Sequence, residues 1–148
     1  MDINTDLFGK IQIDENAIIE FESGLPGFQD EKRFTLIKDR EHFTGVFSCL
    51  QSVENPSLAF TLLDTFSVLP DYNPLVDESD ISDIGEYVKD DLQVYNVLFI
   101  AESVTDITVN LKAPIIINVK SKKGKQVIVD NAEYTIKYRI FEQLKNRK

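Results

Sequence analysis

The sequence predicts a mainly β protein, a Greek-key barrel or two-sheet sandwich with one or two short helices, and three observations lead there. About nine short segments show strand-like apolar patterning and are separated by turn residues. Only residues 80–88 carry apolar side chains at clear helical spacing between the strands. The helical crossovers that a parallel α/β sheet would require are missing.

Taken in order, residues 10–13 and 17–21 read as two strands of an opening hairpin, joined by Asp14, Glu15 and Asn16. Next comes ESGLPGF, in which Gly24 and Gly27 bracket Leu25 and Pro26 ahead of Phe28. The glycines reach backbone angles closed to other residues and Pro26 stiffens the loop. Two readings follow: a tight crossover whose Leu25 and Phe28 plug the core, or a rigid loop offered to a partner. Residues 34–37 form a third strand, 39–43 a single helical turn, and 46–52 and 58–63 two further strands around Asn55, Pro56 and Ser57. The stretch 65–75 mixes aromatics with Pro70 and Pro74, which suits a long loop packed by Phe66, Leu69 and Tyr72.

Ile81, Ile84 and Val88 then fall on one helical face, with Asp80 placed to cap and Asp83 in the favourable first turn. Gly85 weakens this helix by about 1 kcal/mol relative to alanine, so packing on a sheet must hold it. Residues 94–101 are a long, nearly all-apolar strand covered on both faces and therefore central. In DITVNLKAPIIIN, residues 106–118, Ile107, Val109 and Leu111 alternate with Thr108, Asn110 and Lys112. Pro114 forces a turn or an edge before Ile115, Ile116 and Ile117. A strand over 126–129 returns after 121–125, with Gly124 supplying the positive φ of a hairpin, and the pair reads as the centre of the core. Residues 134–138 alternate again before Ile140, Phe141 and Leu144 shift to helical spacing in a short basic tail.

The 148 residues are read as one domain, 1–148, large enough to bury a core without a staple. The single cysteine, Cys49, lies in an apolar run and reads as a small core residue. Without a basic leader, an apolar h-region or a span of about 20 apolar residues, the expected location is cytoplasmic, with no membrane association. A net charge of −9 argues against direct binding of nucleic acid or anionic lipid. The charge is uneven: residues 71–91 hold eight acids against Lys89, a balance of −7, whereas 137–148 balance to +4.

Catalytic chemistry has little to work with. His42 is the only histidine, and it sits among Arg40, Glu41 and Phe43 in a turn. With Cys49 it makes at most two good zinc ligands, no segment has the spacing of a calcium loop, and neither a GxGxxG nor a P-loop occurs. No catalytic residue, metal site or cofactor is expected. Asn96, Asn110 and Asn118 could converge inside a barrel as a small-ligand site, although strand asparagines more often satisfy backbone. The residues therefore point to an acidic, β-rich interaction protein.

Several motifs carry this further: FESGLPGF at 21–28, LQSVENPSLAF at 50–60, Asp64 with Phe66 and the Pro70-Asp71-Tyr72 step, TVNLKAPIIIN at 108–118 and GKQVI at 124–128. In this order they resemble the flagellar assembly factor FliW family. The resemblance implies a small closed β-barrel with minor helices and a non-enzymatic regulator of motility. Such a protein would bind flagellin and, once flagellin is exported, bind the RNA-binding translational repressor CsrA, so that flagellin translation is relieved. A flagellin chaperone alone and an acidic nucleic-acid mimic are the alternatives. The charge pattern adds a mechanism, because an acidic segment docked beside an RNA site repels phosphate at a distance. Asp77, Glu78, Asp80 and Asp83 are the candidates for that field. For an amphipathic flagellin segment the candidates are Gly24, Leu25, Pro26, Gly27 and Phe28, together with Phe66, Pro70, Asp71 and Tyr72.

Overall fold

In the computed structural model, which describes residues 1–38 and 45–146, the chain opens with a small ribbon. Its strands β1 (Asp2–Thr5) and β2 (Gly9–Gln12) pair antiparallel and bury Ile3 and Thr5. Strands β3 (Ile18–Glu20), β4 (Arg33–Lys38), β5 (Phe47–Ser52), β6 (Ala59–Asp64) and β7 (Leu92–Phe99) follow as an antiparallel meander. Helix α1 (Thr65–Val68) leaves β6. Strand β8 (Thr108–Val109) precedes the hairpin of β9 (Ile115–Asn118) and β10 (Lys123–Gln126), and the chain ends in β11 (Tyr138–Arg139) and helix α2 (Phe141–Lys145).

The hairpin closes the barrel. Strand β9 pairs antiparallel with β7, and β10 pairs parallel with β3 at Lys123 and Glu20, so seven strands form a ring. Inside it Phe21, Phe34, Leu50, Leu62, Ile115 and Ile117 are buried. Strand β7 is central, but the cover expected on both faces of 94–101 is incomplete, since the strand ends at Phe99 and both Phe99 and Ile100 are exposed. It forks: Leu92 to Tyr95 pair with β9, whereas Leu98 and Phe99 pair with β8. Pro114 lies where the chain leaves β8 for β9, the break its missing N–H predicts. A second cluster, with Leu63, Leu98, Val109, Leu111, Ile140 and Leu144, fills the space beyond the fork. The tail is helical as its spacing indicates, with Leu144 buried.

The structure corrects several sequence expectations. Residues 10–13 and 17–21 do not pair with each other: β2 pairs with β1 and β3 with β4. Between them Asp14 accepts a hydrogen bond from the Asn16 N–H and caps a 3-10 turn that carries the chain from ribbon to barrel. The β9–β10 hairpin exists, but its return strand runs from Lys123 to Gln126, so only Gln126 of the expected 126–129 lies in it, and Lys122 rather than Gly124 takes the positive φ, 61°. Gly124 lies within the strand, and it is a glycine there because a Cβ would sit 2.7 Å from the Phe21 ring. Residues 78–84 form a kinked 3-10 segment, not an α-helix over 80–88, and Gly85 at φ 84° ends it. Ile81 and Ile84 are buried, but Val88 lies beyond the stop and is 66% exposed. Strand character within 134–138 is confined to Tyr138, which opens β11, and the start of the expected long loop at 65–75 is α1. The helical turn expected at 39–43, with His42, lies outside the described residues.

Cys49 is buried, as expected, and desolvation pushes its thiol up to about 11. We therefore predict that at pH 8 the native thiol reacts with a disulfide reagent at least about a hundredfold more slowly than the unfolded chain. Equal rates in a stopped assay with and without denaturant would contradict this burial.

Candidate partner-binding surfaces

The ESGLPGF loop is a constrained crossover. Gly24 has φ 65°, and a Cβ there would sit 2.5 Å from the Gln29 backbone, while Gly27 has φ 85° with open space around it. Leu25 is 2% exposed and plugs the core, but Phe28 is 41% exposed. The Phe28 ring meets Phe60 edge-on at 5.6 Å, and Phe60, Phe34 and Phe21 continue the row inward. The crossover reading holds for Leu25 but not for Phe28, which does not plug the core; Pro26, Gly27 and Phe28 face solvent. Gly24→Ala is expected to cost more than about 2 kcal/mol, because backbone strain and a backbone clash add. Gly27→Ala should cost about 1–2 kcal/mol through strain alone, and equal urea midpoints for the two variants would refute the distinction.

Phe66 belongs to α1 and is 44% exposed, whereas Tyr72 is 5% exposed, with the two rings 6.0 Å apart. The Tyr72 hydroxyl donates to the Leu111 carbonyl at 2.7 Å and accepts from the Asn96 side chain at 3.1 Å. Burial pushes its phenol up to about 12. Asn96 also donates to the Asn110 carbonyl and accepts from Thr65, so the buried carboxamide at the fork of β7 ties α1, the loop and β8 together. Sequence reasoning missed Asn131 and Tyr134, which hold the far side of the loop. Asn131 bonds Asn73 and Leu75, and the Tyr134 hydroxyl accepts from the Asn73 N–H. Their signal is weak, since Asn131 looks like an ordinary surface residue and Tyr134 reads only as the first residue of the alternating run 134–138.

Glu78 and Asp80 are exposed on the 3-10 segment and Asp77 is exposed just before it, while the half-buried Asp83 pairs with Lys125 at 3.5 Å. The segment is fixed from below. Ile81 and Ile84 pack on Ile116, Val127 and Val129. Buried Asn118 donates to the carbonyls of Ile84 and Glu86 at 2.9 and 3.1 Å and accepts from the N–H groups of Lys120 and Ser121. Asn96 and Asn118 thus each hold backbone, and Asn110 accepts from the Lys112 N–H. Their side-chain hydrogen bonds hold the chain rather than frame a ligand site.

The Phe66 to Tyr72 loop and the acidic segment meet. A cleft of about 540 Å³ runs between them, with Phe66, Tyr72, Ile81, Leu92, Val94 and Ile116 among its walls and Glu78 and Lys89 as charged lining residues. Pro70 and Asp71 line a neighbouring cleft that shares Tyr72. The ESGLPGF loop lines neither cleft. Phe28 meets Phe60 near the start of β6, whereas Phe66 lies past its end, beyond about 13 Å of extended strand from Phe60 to Asp64. Among the described residues no group of three His, Cys, Asp or Glu side chains could hold a metal ion, and no helix is long and apolar enough to cross a membrane.

The family model described as FliW protein matches residues 2–140. Flagellar assembly factor FliW of Thermoanaerobacter pseudethanolicus is 42% identical over 147 residues, covering 99% of this chain and 97% of that protein. The FliW of a Geobacillus strain, WCH70, is 41% identical, with 97% of each chain covered. A crystal structure of the flagellar assembly factor FliW superposes with a TM-score of 0.87 at 39% identity, covering 95% of this chain and 97% of that one. With its closed seven-strand barrel, its motifs in order and this likeness over nearly its whole length, the chain belongs to the FliW family of flagellar assembly factors.

Proposed function

We propose that this flagellar assembly factor is a non-enzymatic partner switch. It binds flagellin, and when freed of flagellin it binds CsrA and relieves repression of flagellin translation, without contacting nucleic acid or membrane itself. The observation that carries this reading is the apolar cleft whose wall is the acidic segment: Ile81 and Glu78 line the cleft, and Asp77 and Asp80 flank them. An amphipathic helix of flagellin would lay its apolar face on Phe66, Leu92 and Val94, above the buried Ile81 and Ile116. A basic, RNA-gripping repressor would be drawn to the carboxylates beside it, and RNA phosphates would be repelled from the same place. Since the two features share residues, the two partners would exclude each other.

The test neutralises the field and reads RNA release. With Asp77→Asn, Glu78→Gln, Asp80→Asn and Asp83→Asn combined, displacement of flagellin leader RNA from CsrA should weaken by about tenfold and lose most of its salt sensitivity. Flagellin affinity should change less, because an apolar floor supplies most of it. Unchanged RNA release by a variant that melts like the parent would refute the electrostatic mechanism.

A further inference from the structure

The second cleft, of about 300 Å³, is built differently from the first. Tyr72, Tyr134 and Tyr138 line it together with Leu69 and Leu111, and its charged lining residues are Asp71 and Glu133. Each phenol oxygen is already engaged. Tyr72 bonds Leu111 and Asn96, Tyr134 accepts from the Asn73 N–H at 2.6 Å, and Tyr138 accepts from the Gln143 side chain at 2.9 Å. The rings are therefore oriented before any ligand arrives, Tyr72 and Tyr134 with centroids 4.7 Å apart. Glu133 is oriented too, accepting from Asn131 at 3.0 Å. That bond and nearby Lys112 hold its carboxyl below the usual range, so it is ionised at neutral pH. Lys112 itself donates to the Asn131 carbonyl, and the two carboxylates outweigh its charge.

A cleft of fixed aromatic rings with two carboxylates suits a flat, weakly hydrated cation. We propose that this cleft binds the guanidinium of an arginine side chain presented by a protein partner. Arginine fits better than lysine because its planar fork stacks on aromatic rings and pairs with carboxylates, whereas an ammonium holds its hydration more strongly. The cleft is a specificity pocket separate from the apolar floor of the larger one, and it stands whichever partner supplies the arginine.

The test is an NMR titration of the whole protein with N-acetyl-arginine amide, with the lysine and citrulline analogues run in parallel. Saturable shifts are expected at the Tyr134 and Tyr138 rings and at Glu133, stronger for arginine than for lysine and absent for uncharged citrulline. Tyr138→Leu and Glu133→Gln should each weaken arginine binding by about two- to fivefold, while the methyl signals of buried Val109 and Ile140 stay in place. Should Tyr138→Leu not fold, Glu133→Gln decides alone. Equal shifts with citrulline, no shifts below about 50 mM arginine analogue, or full affinity in Glu133→Gln would overturn the proposal.

Discussion

Phe21→Ala is expected to destabilise the barrel by about 3–5 kcal/mol, a large share of the roughly 5–15 kcal/mol that holds an ordinary domain folded. The ring is fully buried, meets Phe34 edge-on at 5.5 Å and fills the space that Gly124 leaves by lacking a Cβ. Strands β3 and β10 pair in parallel at a single residue pair, so this ring-on-glycine contact helps to close the barrel at a narrow joint. The reciprocal change, Gly124→Ala, should cost about 1–3 kcal/mol by overpacking. Because the two sites touch, Phe21→Leu combined with Gly124→Ala should be less damaging than the sum of the single changes. Urea midpoints for the four proteins would measure the coupling, and strict additivity would mean that the contact does not exist as described.

Asn118→Ala should cost about 2–4 kcal/mol and also loosen the acidic segment. Its carboxamide serves two carbonyls and two N–H groups at a site with no solvent access, and alanine leaves them without that partner. The Ser121 hydroxyl, 2.6 Å from the Ile84 carbonyl, would retain part of the anchor. Hydrogen exchange should accelerate most at residues near Ile84 and Glu86, ahead of β5 and β6. If exchange rose uniformly instead, Asn118 would be a general core residue and not the anchor of the segment.

The strands were readable because alternation and turn residues report burial directly. Strands β4 to β7, the Pro114 break and the buried Cys49 all follow from that pattern. Pairing was less readable. Residues 10–13 and 17–21 have strand composition, but nothing local says that β2 takes β1 and that β3 takes β4. Gly124 shows the same limit: as a turn residue it was plausible, and only the distant Phe21 ring explains why it is a glycine in a strand. Apolar spacing at Ile81 and Ile84 located a segment lying on the sheet, yet the stop at Gly85 came one turn before the pattern ended. For the candidate surfaces, composition gave the acidic region and motifs gave the loops. That the Phe66 loop joins the acidic segment while the ESGLPGF loop stands apart depends on how β6 separates their ends.

The partner switch proposed here requires that flagellin and CsrA exclude each other, and titration calorimetry with CsrA, alone and with flagellin from the same organism at saturation, measures that exclusion. CsrA should bind the free protein tightly and lose most of that affinity once flagellin is bound, as a shared or coupled surface requires. Equal CsrA affinity in both titrations would contradict the switch, and no CsrA binding in either would leave a flagellin chaperone.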